Sequence, residues 1–170
     1  TPSFTLDEVI GCFPLESAVT NTSDDGIPCA LATTWEVFYA DLPCLPSTGA
    51  YSYTGGTNAA SDEPVFLFQS VGIYDVVYEM SYTCGVLQDV VSVQVNTVPE
   101  VDVLPIANLC AGAFVSPSAS ILNCGTPILS YDWTMTGGSP SSAATLSPGS
   151  VTYDTDGNYT VTIEATNECG

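Results

Sequence analysis

The 170 residues include 19 aspartates and glutamates and no lysine, arginine or histidine, for a formal net charge of −19. Cationic side chains for gripping phosphate are therefore absent, and nucleic acid and anionic lipid would be repelled. General acid–base work near neutral pH falls to carboxylates alone, and a nucleophilic cysteine would lack both a base and a stabilising cation.

Hydrophobic residues make up 45% of the chain, enough for cores. No run of 18 apolar residues suggests a membrane-spanning helix. No basic segment followed by an apolar one stands at Thr1, so no signal peptide is visible, and the chain reads as an excerpt of a longer one. The acidic surface keeps like-charged copies apart. Seven cysteines point to an oxidising compartment. Zinc-type CxxC or Cys/His spacing is missing, which favours disulfides with one cysteine left over.

In chain order, Phe4 to Ile10 reads as an opening strand and Leu15 to Thr20 as a second. Asn21-Thr-Ser-Asp-Asp-Gly26 is a turn cluster of residues that bond their own backbone or tolerate positive φ. Thr33 to Ala40 alternates as a half-buried strand, with Trp35, Val37 and Tyr39 on one side and Glu36 and Phe38 on the other. Residues 41–62 are rich in Pro, Gly, Ser and Thr, and only Tyr51 and Tyr53 suggest a short strand. Val65 to Phe68 is an apolar strand. Gly72 opens a long one that ends at Cys84-Gly85, and Val86 to Val95 alternates again. Thr97-Val-Pro-Glu-Val-Asp102 reads as an extended joint, because Pro99 cannot donate to a ladder. Beyond it come strands at Val101–Ile106, Ala113–Ser116, Ser130–Met135, Ala144–Leu146 and Val151–Tyr153. The closing stretch Gly157–Gly170 follows. No segment keeps a 3.6-residue apolar period. Short strands spaced by Gly and Pro turns predict an all-β fold of β-sandwich type.

The chain repeats itself. Gly72, Tyr74, Val76, Glu79, Cys84 and Gly85 match Gly157, Tyr159, Val161, Glu164, Cys169 and Gly170 at a constant offset of 85 (157 − 72). Cys12 and Trp35 match Cys110 and Trp133 at an offset of 98 (110 − 12 and 133 − 35). The difference places 13 extra residues (98 − 85) in the first unit, between its tryptophan strand and its closing strand. Two domains are expected, 1–97 with an insertion near 41–62, and 98–170. The second lacks a counterpart of Val86–Val95. That would leave a sheet edge unpaired, so the natural chain is expected to continue past Gly170.

Tyr131-Asp-Trp133, then Val-Thr-Tyr153, a turn, and Gly157-x-Tyr-x-Val-x-Ile163 running into a Cys-Gly loop resemble the PKD family of immunoglobulin-like domains. The resemblance covers both units. It departs where the family carries Trp-x-Phe-Gly-Asp-Gly: here stand Trp133-Thr-Met-Thr-Gly-Gly138 and Trp35-Glu-Val-Phe-Tyr-Ala40. It implies two tandem PKD-type β-sandwiches, the second lacking its last strand. It further implies a large secreted or cell-surface protein of the Bacteroidota, such as an adhesin or gliding-motility adhesin exported by the type 9 secretion system. Its partners would be neighbouring repeats of the same chain, surface glycans and the secretion or motility machinery, with no nucleic acid and no membrane insertion. The location would be extracellular, and the role that of a non-catalytic stalk. Two alternatives stay open: a carbohydrate-binding accessory module of a secreted enzyme, and a subunit of an extracellular filament.

Repeat equivalence suggests the bridges Cys12–Cys84 and Cys110–Cys169, with Cys29 paired to Cys44. Cys124 is then either free or paired beyond Gly170. Glu79 and Glu164 occupy one strand position in both units and face water by alternation. Asp154-Thr-Asp-Gly-Asn158 spaces Asp154, Asp156 and Asn158 as oxygen ligands for Ca²⁺, or serves as a polar turn. Gln69–Ile73 in the first unit cannot do the same. Asn21–Asp25 and Asp62-Glu63 are weaker candidates of that kind. Asn21-Thr-Ser23 and Asn158-Tyr-Thr160 fit the N-glycosylation pattern, a chance match in a bacterial protein. Tyr51 and Tyr53, with Phe38, would form an aromatic platform for sugars if exposed, or a second packed face if covered. No other cofactor is expected.

Overall fold

The computed structural model describes residues 1–24, 30–42 and 46–170. Every regular element among them is a strand, and the chain divides into two compact units, Thr1–Thr97 and Val98–Gly170.

The first unit comprises β1 (Phe4–Leu6), β2 (Ile10–Cys12), β3 (Leu15–Asn21), β4 (Ala30–Ala40), β5 (Tyr51–Thr54), β6 (Val65–Phe68), β7 (Gly72–Tyr82) and β8 (Gly85–Asn96). Two four-stranded sheets form, in the orders β1-β3-β6-β5 and β2-β8-β7-β4. Those are the ABED and CFG sheets of an immunoglobulin sandwich, with β2 added in parallel beside the last strand. Alternation decides what lies between them. Trp35 of β4 is buried, stacked on Tyr78 of β7 at 4.3 Å and met edge-on by Phe4 at 4.9 Å. Val37 and Tyr39 pack on this core, while Glu36 and Phe38 face out.

The expected opening strand Phe4–Ile10 is in fact two strands in two sheets. Ser17, almost wholly buried, marks the crossing. Its Oγ donates to the Glu8 carbonyl (2.7 Å) and accepts the Glu8 N–H (3.3 Å). The Asp7 carboxylate accepts the Ala18 N–H at 2.7 Å, which holds its pKa below the usual carboxylate value, with Ser17 adding to the effect. Alternation cannot reveal this change of sheet, because both pieces are short and the link between them is held by side-chain hydrogen bonds.

The second unit comprises β9 (Glu100–Val103), β10 (Phe114–Val115), β11 (Ala119–Leu122), β12 (Ser130–Met135), β13 (Ser142–Ala143), β14 (Val151–Thr152) and β15 (Val161–Thr166). β11 pairs with β9 and β10 with β14, so β10 and β11 together repeat the role of β3, which pairs with both β1 and β6. They are separated at Pro117, which has no N–H for a ladder. The second sheet runs β13-β12-β15. The strand expected at Ala144–Leu146 lies two residues earlier, as β13 on the flank of β12. β5 has no counterpart among the described strands of this unit. Trp133, Met135, Val115 and Val151 form a smaller core. The fold is thus two tandem immunoglobulin-like β-sandwiches.

The repeated stretch is a central strand in one unit and an edge strand in the other. β7 is covered by β8 along its length, and Tyr74 and Val76 are fully buried. β15 has a strand on one side only, and Val161 and Ile163 are half-buried.

Candidate functional site

Each unit carries the same two internal fastenings. Trp35 Nε1 donates to the Ser61 carbonyl and Trp133 Nε1 to the Thr145 carbonyl, both at 3.0 Å. The Tyr74 hydroxyl donates to the Ser70 carbonyl at 2.8 Å, and the Tyr159 hydroxyl to the Thr155 carbonyl at 2.7 Å. A tyrosine at the start of the closing strand, bonded four residues back, is the tyrosine corner of immunoglobulin-type sandwiches. Burial raises the Tyr74 pKa. Tyr74 is fully buried in the core of its unit. Tyr159 is 36% exposed and stacks on Tyr153 at 4.2 Å. The repeat brings Tyr74 and Tyr159 into correspondence, but the corner itself is seen only in the hydroxyl–carbonyl bonds. Gly72 is required by close approach: a Cβ there would lie 2.3 Å from the Tyr39 ring.

The cysteines depart from the expected pairing. Cys84 and Cys110 are exposed free thiols, whereas Cys12, Cys124 and Cys169 are disulfide-bonded. Strand register excludes Cys12–Cys84. Cys12 lies opposite Asn96, 11 residues (96 − 85) along β8 from the hairpin turn that holds Cys84. At about 3.4 Å per residue that is about 37 Å, against the roughly 7 Å a disulfide can span. Cys110 lies near Tyr153, whose carbonyl accepts the Gly112 N–H, and near Val161 at the start of β15. Cys169 follows the other end of β15, five residues (166 − 161) or about 17 Å further on. Repeat equivalence identified matching positions but not which of them meet. Cys124 sits in the turn between β11 and β12, at the β15 end that carries Cys169, and it is bonded. The expected Cys29–Cys44 bridge lies outside the described residues.

Glu79 and Glu164 both lie on the solvent side of their strands. Glu164 is exposed, and Glu79 accepts from Gln88 Nε2 at 2.8 Å across the outer face of its sheet. Asp154, Asp156 and Asn158 are all exposed. Among the described residues no group of three or more His, Cys, Asp or Glu is placed to hold a metal ion. Of the weaker candidates, Asp62 accepts from Asn21 Nδ2 at 2.6 Å and Glu63 from the Asn21 N–H at 3.2 Å, which ties the loop before β6 to the end of β3. Asp25 lies outside the described residues.

Tyr51 and Tyr53 do not form an exposed platform. Both are half-buried on β5 and pack against Phe66, Tyr53 at 5.3 Å. Burial, with help from Tyr51, pushes the Tyr53 pKa up to about 12. Phe38 stands on the outer face of the opposite sheet, 57% exposed.

One pocket, of about 560 Å³, opens in the second unit between the segment 106–115 and the loop 153–161. Tyr153 and Tyr159 line it together with Asp156, Asn158 and the Cys110 thiol. Burial raises the Tyr153 pKa, and its hydroxyl is buried without a hydrogen-bond partner. The sequence offered no signal for this pocket, because its two walls are at least 38 residues (153 − 115) apart along the chain.

A family model described as the PKD domain matches residues 96–170. That span contains Trp133 and Gly157–Ile163, the residues that carry the resemblance in this unit. Fibronectin(III)-like modules of Clostridium thermocellum CbhA align at 15% identity with a TM-score of 0.35, covering 98% of this chain and 86% of that one. A titin A168169 structure aligns at 12% identity with a TM-score of 0.39, covering 98% and 96%. Both scores are low, and the immunoglobulin topology rests on the strand order. A search of curated proteins returns no match.

Proposed function

We propose that this chain is a non-catalytic repeat segment of a large cell-surface adhesin. It acts as a disulfide-braced spacer that holds a binding tip away from the cell, in surface adhesion or gliding motility. One observation carries this reading: the Trp–carbonyl bond and the tyrosine corner recur in both units, while among the described residues no group of three or more His, Cys, Asp or Glu is placed to hold a metal ion. What is repeated is scaffolding. The PKD match over 96–170 supports a repeat module. The disulfide-bonded cysteines support an extracellular location. The absence of any basic side chain argues against acid–base catalysis. The reading places export by a type 9 system and an origin in the Bacteroidota alongside it, on the resemblance alone.

The test is a pair of replacements in the full-length protein. Residues 1–170 are deleted, or exchanged for an unrelated two-domain spacer of equal length, and cell attachment is measured. A spacer predicts loss on deletion and rescue by the exchange. Failure of the exchange to rescue would show that the segment itself binds.

A further inference from the structure

The pocket of the second unit has no part in spacing. At about 560 Å³ it falls within the range of ligand sites. We propose that it receives the cationic side chain, lysine or arginine, of a partner polypeptide. Asp156 is the one carboxylate among its lining residues, it is exposed, and no lysine, arginine or histidine exists in the chain to neutralise it. Tyr159 lines the same space, 36% exposed, with its hydroxyl tied to the Thr155 carbonyl so that the ring is held in place. Tyr153, which also lines the pocket, stacks on it at 4.2 Å. An aromatic residue and a carboxylate lining one pocket suit a guanidinium or ammonium group, through cation–π attraction and charge together. Ile106 and Leu109, 41% and 55% exposed, border the pocket and offer apolar surface to the methylene stem of such a side chain.

The sign of the field selects the ligand class. A net charge of −19 draws cations and repels anions. A neutral sugar could use the ring but would gain nothing from the charge. The partner is therefore a basic segment of another polypeptide.

The chain supplies its own reporter. Cys110 is a free thiol lining the pocket, and Cys84 is a free thiol in the other unit. The intact 170-residue chain is titrated with N-acetyl-arginine amide and N-acetyl-lysine amide, and the alkylation rate of each thiol is followed by mass spectrometry. The expected result is saturable slowing at Cys110 with no change at Cys84. Affinity should fall roughly threefold to fivefold in Asp156→Asn, the size of an exposed ion pair. Asp156 is exposed and outside the strands, so this variant keeps the fold. N-acetylglucosamine should give no protection. Equal slowing of both thiols would reduce the effect to diffuse charge and overturn the site. So would unchanged affinity in Asp156→Asn, the absence of protection, or protection by the sugar and not by the arginine ligand.

Discussion

Tyr74→Phe isolates the fastening that both units share. The substitution keeps the ring in a fully buried position and removes one hydroxyl. That hydroxyl lies 2.8 Å from the Ser70 carbonyl and 3.2 Å from the Ala50 carbonyl. Ala50 keeps the Gln69 N–H at 2.8 Å, so Ser70 is the group left without this donor. Leaving a buried acceptor unpaired costs about 1 to 3 kcal/mol. The matching change Tyr159→Phe acts at a ring 36% exposed, where water replaces the lost donor, and should cost less than about 1 kcal/mol. Hydrogen exchange with mass spectrometry at stepped urea concentrations reads the two units separately within one chain. Tyr74→Phe should lower the opening free energy of peptides from β4, β7 and β8 and leave β12 and β15 unchanged. A loss below about 0.5 kcal/mol for Tyr74→Phe, or a larger loss for Tyr159→Phe, would refute the argument that burial sets the worth of the corner.

Three further outcomes follow from the same structure. Tyr53 has a folded pKa of about 12 against an ordinary value of 10.0, so the stability it contributes is intact below pH 10 and is lost as pH rises through 10 toward 12. An absorbance titration at the phenolate band should show alkaline unfolding in that window, at higher pH in Tyr53→Phe. Added sodium chloride should raise the melting temperature, because 19 acidic side chains repel one another with no basic side chain to offset them, and salt screens that repulsion. A scanning-calorimetry series from low to physiological salt that shows a fall would contradict this. Maleimide should label Cys110 in the native protein and Cys124 and Cys169 only after reduction, read by peptide mapping with a protease other than trypsin.

The sequence by itself determined the two-unit plan and the all-β class. Offsets of 85 and 98 between identical residues are facts of the chain, and alternation sorts the residues around Trp35 onto two faces without coordinates. It also ruled out phosphate recognition by basic side chains, because those side chains are absent. Only the tertiary structure decided which equivalent positions meet. Cys12 and Cys84 correspond to Cys110 and Cys169, yet β8 holds the first pair some ten residues of strand apart, because register is a matter of pairing and not of order. The change of sheet at Asp7 and the covering of Tyr51 and Tyr53 by Phe66 arise the same way, from contacts between distant segments. The pocket beside Tyr159 exists because residues 106–115 fold back onto the loop 153–161, and no local pattern in either stretch records the other.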